Sequence, residues 1–307
     1  TLVIHRLFEL RLSKFEIKSV GVNFDKKELE FSLNSHLDEL IYLLKKGRVN
    51  LMIFEDLDRF NDHEIFEKLR EDEKYSIDQE AFVRARLFDM LLGDWDRHQD
   101  QWRWSQFKQE DGSSIFKPIP RDRDQVYSNF DGALFATLRT MIGLTKQFAT
   151  YDEDLNNVKW FNTAATYLDR TLAQEADRDM WVSQAQFIKD NLSDEVIEAA
   201  FKDLPAAIYP DASTAKIIKN IMIRRGKIVD IAKRYYDYLS DLAIVTGTDK
   251  DDYIVVNRVV DGQTRVTIYR NKDGKKADVV VDRLFLKEDT KEIWVYALDD
   301  DDIIEAI

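Results

Sequence analysis

The sequence predicts an α+β fold: a short N-terminal α/β piece over residues 1–71, a mainly helical body over 72–242 and a C-terminal antiparallel β-module over 243–307. Three observations predict it. Apolar residues recur at helical spacing through 78–92 and most of 150–241. From about residue 243 the period changes to two, in YIVVNRVV, TRVTIYR, ADVVVDRLF and KEIWVYAL. The segments between these runs, DGQ, NKDGK and LKEDT, carry the chemistry of tight turns.

In the first piece a strand is expected at Glu16–Val22, an amphipathic helix near Ser32–Lys46 and an apolar strand at Val49–Phe54, followed by EDLDRFND and the helix HEIFEKLRE. The body opens with the helix DQEAFVRARLFDMLL, then GDWDRHQDQWRW, a turn at Glu110–Ser113 and the proline-flanked PIPRDRDQ. Ser193, followed by Asp194 and Glu195, has the residues of a helix start. Ser213–Leu242 reads as one long helix that tolerates Gly226. No internal repeat and no low-complexity linker occurs.

Composition narrows the function classes. A chain of 307 residues, 44% hydrophobic, with eighteen Phe, twelve Tyr and six Trp, can bury extensive cores. The net charge of −13 repels nucleic acid and anionic lipid, so no nucleic-acid partner is expected. There is no cysteine, which excludes thiol catalysis, disulfides and thiolate metal sites. No apolar run approaches the roughly 18 to 20 residues of a transmembrane helix, and TLVIHRLFELRL lacks a secretory leader's features. The start at Thr1 and the strand-like EAI at the end read as those of an internal fragment.

Two segments carry the candidate chemistry. Phosphoryl transfer of the kinase type needs a carboxylate near the acceptor hydroxyl and a cluster of oxygen ligands that hold metal ions against the phosphates. In sequence this is an Asp on a loop after a helix, an amide or acid about five residues on, and further Asp after a strand. Asp96, Gln101, and then Asp122 and Asp124 after SIFKPIP follow that order. The competing reading is capping and packing. Trp95, Trp102 and Trp104 read as core or cleft-wall residues, the last two on one face if their stretch is a strand.

GDWDRHQDQW resembles the catalytic loops of atypical kinases, of the HipA-like, CotH-like and secretory-pathway groups, and IPRDRDQVYSNFDG is similar to their metal-binding Asp segment. The resemblance implies a body like a kinase C-lobe. It makes Asp96 the base, with Arg97 and His98 shaping the loop, Gln101, Asp122 and Asp124 as metal ligands, and Mg²⁺ and ATP as cofactors. A neutral amide at 101 is a weaker Mg²⁺ ligand than a carboxylate.

A second resemblance covers residues 72–307. ARLFDMLLGDWDRHQDQWRW, PIPRDRDQ, YPDASTAKIIKNIMIRRGKIVDIAKRYYDYLSD and RLFLKEDTKEIWVYALDDDD are similar to the region downstream of the phosphatase domain in bacterial outer-membrane calcineurin-like metallophosphoesterase/surface-antigen proteins. It implies an upstream phosphatase domain, a downstream β-barrel, and a place in the cell envelope on the periplasmic side of the outer membrane. The phosphoesterase's own histidine-rich ligand motifs do not occur among His5, His36, His63 and His98.

The third signal is RVNLMIFEDLDRFNDHEIFEKLRE. An apolar strand that ends in paired acids is what a Walker B element requires. FEDLDRF and EIFEKLRE resemble the KAP and YobI-like P-loop NTPases over residues 1–71, which places Glu55 and Asp56 at the acidic, nucleotide-facing positions and implies a cytoplasmic protein. No G-x-x-x-x-G-K-[ST] loop occurs in the chain. A plain buried strand is the second reading. The third is a kinase hinge, with Lys14 and Lys18 as nominal strand lysines. The change of resemblance near residues 60–75 points to a fusion.

Two further groups are ambiguous. Arg224, Arg225, Lys227, Lys233 and Arg234 read as a solvated helix face, with contact to an anionic phosphate as the rival. Asp299–Asp302 reads as a solvated turn, with Ca²⁺ binding as the rival. The expected function is a kinase-like phosphotransferase, or a nucleotide- or phosphate-binding region of an envelope-associated phosphoesterase protein. The alternatives are a non-catalytic scaffold between a phosphatase domain and a barrel, and a P-loop ATPase fragment.

Overall fold

The computed structural model describes residues 14–17, 22–25, 59–60, 62–130, 147–206, 208–209 and 211–307. The polypeptide divides into two compact units, Thr1–Asp58 and Arg59–Ile307. In the first, strands β1 (Lys14–Ile17) and β2 (Val22–Asp25) pair antiparallel, with Lys14 opposite Asp25. The strand expected at Glu16–Val22 overlaps the end of β1 and the start of β2, and residues 18–21 lie outside the described residues. The elements expected at 32–46 and 49–54 lie outside the described residues.

In the second unit, β3 (Arg59–Phe60) leads into α1 (Asp62–Glu71), the HEIFEKLRE helix. Then come β4 (Tyr75–Ile77) and α2 (Gln79–Leu92). Helix α2 has both of its ends written in the sequence. The Asp78 side chain accepts from the Ala81 N–H at 2.9 Å, and Gly93 takes the left-handed φ of +82° that ends the helix. Strands β5 (Trp102–Lys108) and β6 (Ser114–Pro120) form a hairpin, completed to a four-stranded sheet in the order β3-β5-β6-β4, with β4 parallel to β6.

The stretch 150–241 is broken more often than its periodicity suggests. It contains α3 (Val158–Phe161), α4 (Thr166–Leu172), α5 (Arg178–Asn191), α6 (Asp194–Lys202) and α7 (Ala212–Ser240). Ser193 caps α6 by accepting from the Val196 N–H, and Gly226 sits within α7 with open space around it. The main core joins the inward faces of α2, α5 and α7 to the hairpin. Phe82, Leu87, Met90, Trp102, Trp104, Trp181, Ile231 and Tyr235 are all buried there. Trp102 and Trp104 share one face of β5, with ring centroids 6.2 Å apart, and both pack on Phe82. Trp95 is partly buried and meets Phe148 edge-on at 4.7 Å. Among the described residues no helix is long and apolar enough to cross a membrane.

The C-terminal module is a second core, built on Val245, Ile254, Val266 and Ile268. Strands β8 (Asp252–Val260), β9 (Gln263–Lys272) and β10 (Lys275–Leu286) form the expected antiparallel meander. Asp273 and Gly274 turn between β9 and β10 with φ of 52° and 76°, as a two-residue hairpin loop requires. The module is not purely antiparallel. Strand β7 (Leu242–Thr246), whose first residue is the expected end of the long helix, pairs parallel with β11 (Glu292–Tyr296), and β12 (Ile303–Ala306) pairs parallel with β8. Turn residues specify neighbours in sequence, and these two pairings join segments about fifty residues apart.

Candidate functional site

The segment Asp94–Gln101 leaves α2 at Gly93, where a Cβ would lie 2.5 Å from Tyr151 Cδ2. A short 3₁₀ turn, Gln99–Gln101, delivers the chain to β5. Arg97 organises this loop. It is wholly buried, its guanidinium lies 4.8 Å from the Trp102 ring, and its Nη1 donates to Asp94 Oδ2 at 3.2 Å. The same Nη1 donates to the carbonyls of Arg121 and Asp122, the latter at 3.0 Å, and Nη2 donates to the Gln101 carbonyl at 3.0 Å. One side chain thus ties together the two segments singled out by sequence.

Beneath it lies a buried charge network. Asp89, on the inner face of α2, accepts from Arg86 Nη1 at 3.0 Å and from Arg123 Nε at 2.9 Å. Arg97 Nε lies 3.2 Å from Asp89 Oδ2, without the alignment of a hydrogen bond. Arg86 also donates to Asp169 at 2.7 Å and to the Asn162 amide oxygen at 2.7 Å, and the Tyr235 hydroxyl donates to Asp169. Three arginines and three aspartates (89, 94 and 169) balance their charges, as burial requires.

Burial sets the electrostatics. It pushes the Asp94 carboxyl up to about 6 against the pull of Arg97, and Asp94 Oδ1 has no donor. It raises Asp169 and lowers Arg97. Arg86 loses to burial but gains more from Asp169 and Asp89, and is held above its ordinary value.

The sequence-selected residues divide around this network. Asp96 and His98 are half-buried, with His98 Nε2 3.8 Å from Asp96 Oδ2 and 3.4 Å from Gln101 Nε2. The amide nitrogen is a donor, so that contact needs His98 Nε2 unprotonated. Asp122 and Asp124 are exposed, while Arg123 between them turns inward to Asp89. Asp122 has a φ of 41°, a left-handed conformation that Asp adopts more readily than most residues. Among the described residues no three His, Asp or Glu side chains gather closely enough to hold a metal ion, Asp299–Asp302 included. Glu55, Asp56 and Lys18 lie outside the described residues.

The basic run on α7 is only in part a solvated face: Lys233 is exposed, and the three arginines turn to neighbouring loops. Arg224 is buried and stacks 4.1 Å from the Tyr151 ring. It donates to the carbonyls of Met90, Asp152 and Asp154. Arg225 donates to the Leu192 carbonyl, and Arg234 holds Leu155 and Asp154. These guanidinium groups fasten loops to the helix. Sequence reasoning also missed Arg86, Asp89, Asp169 and Tyr235. Its one available signal was an Arg and an Asp three residues apart on the apolar stripe of α2.

The comparisons with known proteins concern the other end of the chain. Residues 1–86 match the family model of the YobI-like P-loop NTPases. The YobI-like match contains FEDLDRF, all of α1 and the start of α2. A stretch of 93 residues is 36% identical to the "Uncharacterized membrane protein YobI" of Bacillus subtilis (strain 168), covering 28% of this chain. The chain spans only 8% of the length of that relative. No solved structure matches the chain, so no kinase fold is shown by structural likeness. The resemblance to metallophosphoesterase proteins has no support from these matches.

Proposed function

We propose that this chain contributes the acidic part of a nucleotide-binding site of the P-loop NTPase type, through Glu55 and Asp56. The observation that carries this reading is the YobI-like match over residues 1–86, which includes RVNLMIFEDLDRFND. Two adjacent carboxylates after an apolar run suit a Mg²⁺ ion and an attacking water, the chemistry that a bound Mg-nucleotide would supply. The backbone donors that cradle phosphate have no G-x-x-x-x-G-K-[ST] in these 307 residues. The chain therefore supplies part of a site. The test is calorimetry of Mg-ATP on the 307-residue chain, with Glu55→Gln and Asp56→Asn as variants.

A second reading rests on a separate observation, the grip of Arg97 on both Gln101 and Asp122. On it, Asp96, Gln101, Asp122 and Asp124 form a kinase-like phosphotransfer cleft in the helical body. Nucleotide binding lost in Asp122→Ala and Asp124→Ala, but kept in Glu55→Gln, would transfer the function to that cleft. The absence of a three-ligand metal cluster among the described residues ranks it second.

A further inference from the structure

A cleft of about 970 Å³ runs between α1, α4 and the β7–β11 ribbon, at the top of the size range of small-molecule sites. It is separate from Asp96, Asp122 and Asp124, none of which lines it. Three large aromatic side chains face it while remaining open to solvent: Tyr167 is 70% exposed, Trp294 48% and Tyr296 44%. Trp294 and Tyr296 alternate with the inward-facing Ile293 and Val295, so they stand on one face of β11, roughly 7 Å apart. Exposed aromatic rings gathered on one cleft offer faces on which a ligand's ring can stack.

The polar groups of the cleft select the ligand. Its cationic groups are already engaged: Arg70 pairs with Asp249 and Asp299, and Arg170 donates to the carbonyls of Tyr238 and Leu239 at the end of α7. Neither is set to grip a phosphate. What remains is three carboxylates, Glu67, Glu73 and Glu175, with His63 beside Glu67, and a set of neutral amides and hydroxyls. The carboxylates repel an anionic ligand and accept from hydroxyl donors. Gln79 donates from Nε2 to the Leu172 carbonyl at 2.8 Å, which fixes its orientation and leaves its buried Oε1 without a donor. Gln174 Nε2 reaches Thr246 Oγ1 at a marginal 3.4 Å, so both groups keep hydrogen-bonding capacity. Aromatic faces with planar amides and hydroxyls between them match a molecule that is apolar on its ring faces and rich in hydroxyl donors at its edges.

We infer that this cleft binds a neutral oligosaccharide, with sugar rings stacked on Trp294, Tyr296 and Tyr167 and hydroxyls meeting Gln174 and Thr246. This site is independent of the nucleotide proposal. It is tested by titrating the 307-residue chain with maltotetraose, cellotetraose and chitotetraose, read by tryptophan fluorescence and calorimetry. At least one should bind saturably, without competition from ATP. Trp294→Ala and Tyr167→Ala, both surface truncations, should each weaken it by roughly tenfold while the circular dichroism stays unchanged. No saturable binding of any of the three at millimolar concentration would overturn the proposal. So would binding that both truncations leave intact, or a bound sugar displaced by ATP.

Discussion

Arg97 Nη1 donates to the Asp122 carbonyl oxygen at 3.0 Å, so the loop after α2 and the RDRD segment after β6 share one buried cation. Five donors in a planar fork make this arrangement possible, and a lysine could not reproduce it. Arg97→Ala should lower stability by about 3–5 kcal/mol, because it strands Asp94 in the core and frees the carbonyls of Gln101, Arg121 and Asp122. Arg97→Lys should recover only part of that loss. Urea denaturation of both variants checks this, and an unchanged midpoint in Arg97→Lys would show that the carbonyl contacts carry no weight.

Asp94 gives the network a pH signature. Its folded carboxyl titrates at about 6, above the ordinary value of 3.8, so the folded state holds this proton more tightly than the unfolded one. The resulting stabilisation is complete below about pH 4 and is lost as pH rises through 6. Asp94→Asn removes the titration. The stability of the variant relative to wild type should therefore rise between pH 4 and 7, by up to about 3 kcal/mol. A difference that does not vary with pH would contradict the assignment.

Gly93 ends α2 at a φ of +82°, with Tyr151 packed where a Cβ would go. Gly93→Ala should cost at least about 1–3 kcal/mol from the backbone alone, with the contact adding to it. Thermal melts should show the drop. Gly226→Ala, where the added methyl meets open space within α7, should instead be neutral or stabilising. The reverse order of the two melting temperatures would refute this reading of the turn.

Arg224 fastens α7 to the Asp152–Asp154 loop through carbonyl oxygens. Arg224→Met keeps much of the bulk and loses every one of these bonds, and should cost about 1.5–3 kcal/mol or more. A loss below about 0.5 kcal/mol would return the residue to the solvated face first expected for it.

What the sequence made legible was local. Asp78 and Gly93 frame α2, Ser193 caps α6, and Asp273–Gly274 turns the β9–β10 hairpin, each through contacts within a few residues. The errors that bear on the site were long-range. Nothing in LAIVT says that its partner is EIWVY, and nothing in IMIRRG says that Arg224 reaches carbonyls seventy residues earlier. The same limit applies to the candidate site. The order of Asp96, Gln101, Asp122 and Asp124 suggested convergence, and the residue that joins their segments proved to be Arg97, through backbone oxygens. The inward turn of Arg123 fits a packing role for the run as well, since a buried Asp89 needed its charge.

The most direct test of the proposed function is Mg-ATP calorimetry on the 307-residue chain and its Glu55→Gln variant. The account predicts weak, Mg²⁺-dependent binding, in the millimolar range given the missing phosphate loop, that disappears in Glu55→Gln and survives Asp96→Ala. No binding at millimolar ATP, or binding that Glu55→Gln leaves unchanged, would contradict it.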